Sequence, residues 1–221
     1  MSISGVIYIP VAASDKKNLQ IINKLKRKNI PVVLADRGIQ DSGFDFVTTN
    51  NFEGSREITQ HLINRGHEKI AFLSNKVYST ERLRYDGFIS KMKELKIVQD
   101  PSITIIDKSA FNVNRYLNHA HKILKNKGKF TAVYAGHDRI ALLFYAAAKN
   151  LGLNVPEDFS LVGYDNMPLT TVSLTTMHQP IYEIGQESIN LIVARLNDRS
   201  IKTKNVILKS NLIKRKSVKS I

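Results

Sequence analysis

Short apolar runs alternate with amphipathic stretches along most of this chain, and that alternation narrows the available folds more than any other feature. Runs rich in Val, Ile, Phe and Tyr at 5–10, 31–35, 46–49, 69–74, 103–106, 130–135 and 159–163 read as strands. Between them, apolar residues recur at helical spacing: Leu19, Ile22 and Leu25; Ile58 and Leu62; Phe88, Met92 and Leu95; Leu117, Ile123 and Leu124; Ala141, Tyr145 and Ala148; Ile184, Ile189, Val193 and Leu196. Gly66 and Gly152 read as helix C-caps. Strands separated by helices imply an α/β fold, its strands parallel and its crossovers right-handed. In such sheets a ligand lies beyond the carboxyl ends of the strands. That rule selects loops 11–15, 36–37, 50–53, 75–84, 107–111, 136–138 and 164–166.

Composition removes several classes of function. The 221 residues include no cysteine, which excludes disulfide frameworks, thiolate metal sites and cysteine nucleophiles. There is no apolar run of the ~18 residues that a membrane-spanning helix requires, and residues 1–10 do not resemble a secretory signal. These features lead us to expect a cytoplasmic protein with no membrane partner. Lys and Arg number 33 against 19 Asp and Glu, a net charge of +14. The excess gathers at Lys16, Lys17, Lys24, Lys26, Arg27 and Lys28, and again after Asp198. No aromatic residues interleave with the second cluster as a single-strand platform would require. Solvated helix faces and a frayed basic tail are the simpler reading, with non-specific nucleic-acid binding as its rival.

No dinucleotide fingerprint, phosphate loop, nucleophile elbow or His-Glu-x-x-His motif occurs. His119 and His121 lie two apart on an expected helix and diverge, so they make a poor metal pair. We therefore expect no catalytic constellation, metal or cofactor.

Six segments taken together resemble the LacI/GalR transcriptional-regulator family. They are Asn50-Asn51-Phe52-Glu53-Gly54, the run from His61 through Gly66-His67 to Ile70, Arg84-Tyr85-Asp86-Gly87-Phe88, and His137-Asp138-Arg139-Ile140-Ala141. The last two are Val155-Pro156-Glu157-Asp158 with Val162-Gly163-Tyr164-Asp165, and Leu174-Thr175-Thr176 with Gln179-Pro180. Each is weak alone; their shared order and spacing carry the resemblance. It implies a periplasmic-binding-protein-like pair of α/β lobes with parallel sheets flanked by helices. Lobe one would take about 1–66 plus 180–208, and lobe two about 67–179 plus 209–221. The family's helix-turn-helix headpiece has no counterpart here, nor do the first strands of its first lobe, so lobe one is expected to be incomplete, with an inner strand edge exposed.

The resemblance implies the effector-sensing core of a regulator whose complete form binds operator DNA as a homodimer. The effector would be a sugar, sugar phosphate or purine. The alternative is a free-standing sugar-binding protein of the transport type. Arg84 and Asp165 are the leading effector-binding candidates. A guanidinium fork grips paired oxygens, and a carboxylate accepts from two hydroxyls at once. Otherwise Arg84 would pair at the surface with Glu81 or Asp86, and Asp165 would cap a turn. His137 stands where the family usually has Asn, while Asp138 reads as a helix-terminus carboxylate. Glu53, Gln179, Thr80 and Phe111 complete the set, with helix electrostatics or core packing as the alternative for each.

Overall fold

The structure is a computed structural model that describes residues 3–12, 14–109, 111–168 and 172–221; Ala13 and Ala110, within two of the loops selected above, lie outside it. In chain order it contains β1 (Val6–Tyr8), α1 (Asp15–Arg27), β2 (Val32–Asp36), β3 (Asp45–Thr49), α2 (Asn51–Ile63), β4 (Ile70–Asn75), α3 (Ser79–Glu94) and β5 (Thr104–Asp107). Then follow α4 (Val113–Leu124), β6 (Ala132–Ala135), α5 (Asp138–Asn150), β7 (Ser160–Asp165), β8 (Thr175–His178), α6 (Ile181–Asn197), β9 (Asn205–Leu208) and β10 (Asn211–Ile213). The chain divides into two units. The first holds the described residues up to Asn50 together with Tyr78–Thr80 and Pro180–Lys209; the second holds Asn51–Val77, Glu81–Gln179 and Ser210–Ile221.

The first unit is a parallel sheet in the order β1-β2-β3-β9. Strand residues alternate between its faces. Leu34 and Phe46 meet Ile22 of α1 on one face, while Val33, Ala35 and Val47 meet Ile184 and Leu191 of α6 on the other. Ser14 caps α1, its side chain accepting from the Lys17 N–H. The basic residues of α1 are exposed, as expected of a solvated face. Among the described residues β1 pairs only with β2, leaving its other edge open. Helix α6 departs from expectation. Its buried positions are Ile184, Ser188 and Leu191, whereas Ile189, Val193 and Leu196 are exposed. The helix is apolar on more than one face, so spacing alone could not select the face that packs on the sheet.

The second unit is a six-stranded sheet in the order β10-β8-β7-β6-β4-β5, parallel except for the antiparallel β10–β8 pair. One face carries α4 and α5 over a core of Val133, Leu161, Tyr116 and Phe144. The other carries α2 and α3, with Ile58 and Leu62 packed among Phe72, Phe88 and Tyr134. This packing corrects the expected lobe boundary. Helix α2 belongs with the second unit from Asn51 onward, because its apolar stripe has its partners there. The C-terminal tail is likewise not frayed. Ser217 Oγ accepts from the Thr175 N–H and donates to the Leu161 carbonyl at 2.6 Å, and the Ile221 N–H donates to the Arg65 carbonyl. His67, fully buried, bridges Thr131, Ser160 and the Lys219 carbonyl, the structural role expected of it.

Candidate functional site

Strands β7 and β8 run parallel with Asp165 opposite His178, so Asp165 and Gln179 leave the same sheet edge at its carboxyl end. Gln179 Nε2 donates to Asp165 Oδ1 at 2.9 Å, and Arg84 Nη2 reaches the same oxygen at 3.0 Å. Arg84, on α3, is fixed on its remaining sides. Its Nε donates to Asn51 Oδ1 at 2.8 Å, its Nη1 to the Gly136 carbonyl at 2.9 Å, and its guanidinium carbon lies 3.8 Å from the Tyr164 ring centroid. Burial pulls the Arg84 pKa down, but Asp165 first, with Tyr164, Glu81 and Tyr134, together more than offset this and leave it raised. Burial pushes the Asp165 carboxyl up, while Arg84 and Gln179 pull it back.

The consequence is an asymmetric carboxylate. Both bonds fall on Oδ1, so Oδ2 keeps its acceptor capacity, and the Asp165 side chain remains 26% exposed where that of Arg84 is 4% exposed. Asp165 also has φ 113° and Asn166 φ 56°, the left-handed region that non-glycine residues rarely adopt. Such backbone persists only where its surroundings hold it. Here Asn166 is held directly, its N–H donating to Thr176 Oγ1 at 3.3 Å and its side chain meeting His178 and Arg215. Asp138 braces the next residue and Thr176, accepting from the Met167 N–H at 2.8 Å and from Thr176 Oγ1 at 2.7 Å. A Cβ at Gly163 would lie 2.2 Å from Asp138 Oδ1, so only glycine allows that approach. Burial pushes the Asp138 carboxyl up to about 6. The residue is structural, as expected.

The other expected site residues divide. His137 is the N-cap of α5, its side chain accepting from the Ile140 N–H, and its ring lies 5.5 Å from Phe111. Phe111 stacks on Tyr116 and lies beneath the Arg139 guanidinium. These two form an aromatic wall on loops at the carboxyl edge of the same sheet. Thr80 is buried near the start of α3, in the stretch that groups with the first unit. Glu53 is not brought to the Arg84 cluster. It pairs with Arg56 at 3.3 Å and lines a separate cavity. The residue of that segment that meets Arg84 is Asn51, missed as a candidate although its motif was noticed. Arg84 is not at the surface but buried against Asp165; Asp86 pairs with Lys76, while the buried Glu81 still adds its charge to those that raise the Arg84 pKa.

Residues 59–218 match the family described as a periplasmic binding protein-like domain. The chain belongs to that family. Within it, the chain is 30% identical to the HTH-type transcriptional repressor PurR of Vibrio atlanticus, over 89% of this chain and 59% of the relative. It is 32% identical to the PurR repressor of Pasteurella multocida, over 87% of this chain and 58% of the relative. The chain thus spans less than two thirds of the length of these curated relatives. A solved LacI-family transcriptional regulator from Enterococcus faecium with bound ribose superposes with a TM-score of 0.86 at 27% identity, over 99% of this chain and 80% of that one. The α/β architecture with parallel sheets flanked by helices, and the likeness to a LacI/GalR effector-binding core, are therefore as the loops implied. Among the described residues no helix is long and apolar enough to cross a membrane.

Proposed function

We propose that this chain is the effector-sensing core of a LacI/GalR-type transcriptional regulator, located in the cytoplasm, and that it is a binding module and not an enzyme. The observation that carries this reading is the half-used carboxylate of Asp165. Arg84 and Gln179 hold Oδ1, and Oδ2 is left to accept from a ligand hydroxyl or N–H. Charged hydrogen bonds of this kind are roughly twice as strong as neutral ones. His137 and Phe111 add a ring face and one donor or acceptor, a combination that suits a sugar or sugar derivative. The ribose-bound relative supports a sugar, and the PurR repressors keep a purine among the probes. The transport-type alternative is set aside because the relatives named above are regulators. In a regulator carrying this core, effector binding would shift a homodimer between two states that differ in operator affinity. That coupling requires the ligand to prefer one state.

Thermal melts of the chain with ribose, other sugars, sugar phosphates and purine bases test this. A ligand at 100 times its Kd adds ~2.7 kcal/mol, a shift of roughly 5–10 °C for a chain this size. One selective shift, lost in Asp165→Ala, is expected. A cooperative melt that none of these ligands moves, or an unchanged shift in Asp165→Ala, would overturn the assignment.

A further inference from the structure

A second cavity, of about 440 Å³, lies entirely within the second unit and apart from the Asp165 cluster. Its floor is one face of α2, with Glu53, Arg56, Glu57, Gln60 and His61 at i, i+3 and i+4 spacing as one helical stripe requires, and Asn64 just past the helix end. Lys91 of α3 and, beyond β10, Lys214 complete the polar wall, leaving Leu212 as its only aliphatic residue among those described. Ligand pockets are usually mostly apolar with a few polar anchors. A cavity in their size range with the opposite composition suits a small, highly polar molecule.

The charges sort by position. Arg56 is matched by Glu53 and Glu94, and Lys91 by Glu94 at 2.7 Å, so the end next to α3 is neutralised internally. At the other end Lys214 has no ion pair or hydrogen bond among the described residues. Beside it stands His61, 8% exposed, in the cavity wall, and with no hydrogen-bond partner among the described residues. The His61 nitrogens are not among the buried atoms left without a partner, so they stay open to the cavity, whereas His67, six residues on, has three partners. Burial, with the positive charges of Lys214, Arg65 and His67, pulls the His61 pKa down. The ring is neutral at pH 7, offering one donor and one acceptor. No acid opposes those cations at His61. Glu57, one turn earlier on the same stripe, has no partner among the described residues and supplies an acceptor.

We infer that this cavity is a second ligand site, for a small hydroxylated anion whose phosphate or carboxylate pairs with Lys214 and His61 and whose hydroxyl donates to Glu57. The inference is independent of the effector reading. Calorimetric titration with glycerol 3-phosphate, inorganic phosphate and, as the neutral control, glycerol tests it. We expect one saturable site per chain for glycerol 3-phosphate, weaker binding of phosphate and none of glycerol. Lys214→Glu should weaken binding at least tenfold, and His61→Gln several-fold. Lys214 is exposed, so that variant decides the question even if His61→Gln does not fold. Absence of saturable binding, or binding that Lys214→Glu leaves intact, would overturn the site. Loss in Asp165→Asn in place of Lys214→Glu would put the anion at the effector cluster and overturn it equally.

Discussion

Two arginine–aspartate pairs, one in each unit, use the same chemistry to different ends. In the first unit Asp45 begins β3 and is 2% exposed. Arg195 of α6 grips it in two places, Nε to Oδ2 at 2.6 Å and Nη2 to Oδ1 at 2.9 Å, and the Lys204 N–H adds a third bond to Oδ1 at 2.7 Å. Arg195 Nη1 meanwhile donates to the Ile201 carbonyl at 2.5 Å. Both Asp45 oxygens are engaged, and the pair ties α6 and the approach to β9 onto the amino end of β3. In the second unit Asp165 ends β7 with one oxygen held and the other open. A saturated carboxylate can only brace the fold; a half-saturated one, held by a buried arginine on a strained backbone, can bind. Residue type does not separate the two pairs. Position at the carboxyl end of a strand and unused acceptor capacity do.

The contrast can be broken most forcefully at the bracing pair. Asp45→Ala leaves the Arg195 guanidinium without its counterion, and breaking a buried pair costs about 3–5 kcal/mol. Chemical denaturation should show that loss, and ligand affinity measured below the melting transition should not change. A second effect comes from pH. Asp138 is pushed up to about 6 from 3.8, so between these values the folded state binds more protons than the unfolded one. Stability contributed by Asp138 therefore falls as pH rises through that window, by ~3 kcal/mol in total at ~1.4 kcal/mol per pH unit. The difference in stability between Asp138→Asn and the parent, followed from pH 4 to 7, should show this slope; a flat difference would remove Asp138 as the titrating group. Next, Asp165→Asn should weaken effector binding roughly 10–100-fold, the loss of a charged hydrogen bond worth ~1.5–3 kcal/mol. It should also lower stability, because Arg84 loses its counterion. Smallest is Gln179→Leu, which removes one bond to Oδ1 and should cost a few-fold in affinity, on the order of ~1 kcal/mol.

Much of this was legible in the chain. The seven apolar runs became β1 to β7, with their ends shifted by a residue or two, because buried parallel strands are written in Val, Ile and Phe. Strand β8 carried no such signal, and the apolar runs of β9 (Val206 to Leu208) and β10 (Leu212, Ile213) are too short to stand out. Thr175-Thr176-Met177-His178 is polar in sequence although its first three residues are buried, and β9 and β10 are short strands among lysines. The basic tail looked frayed because charge is visible in a sequence, whereas the Ser217 bonds that pin it depend on tertiary placement. At the site, Arg84, Asp165 and Gln179 were found and do meet. Asn51, and not the expected Glu53, meets Arg84. At 3.6 residues per turn, two positions apart means roughly 200° of rotation, so the helix that turns Asn51 toward Arg84 carries Glu53 away. Sequence spacing reports that rotation but not which side faces the cluster.

The most direct test is a crystal structure of the chain with whichever ligand shifts its melt selectively. The account predicts a ligand hydroxyl or N–H within hydrogen-bonding distance of Asp165 Oδ2, with Arg84 and Gln179 still on Oδ1. A ligand bound elsewhere, with Oδ2 left in solvent, would contradict it.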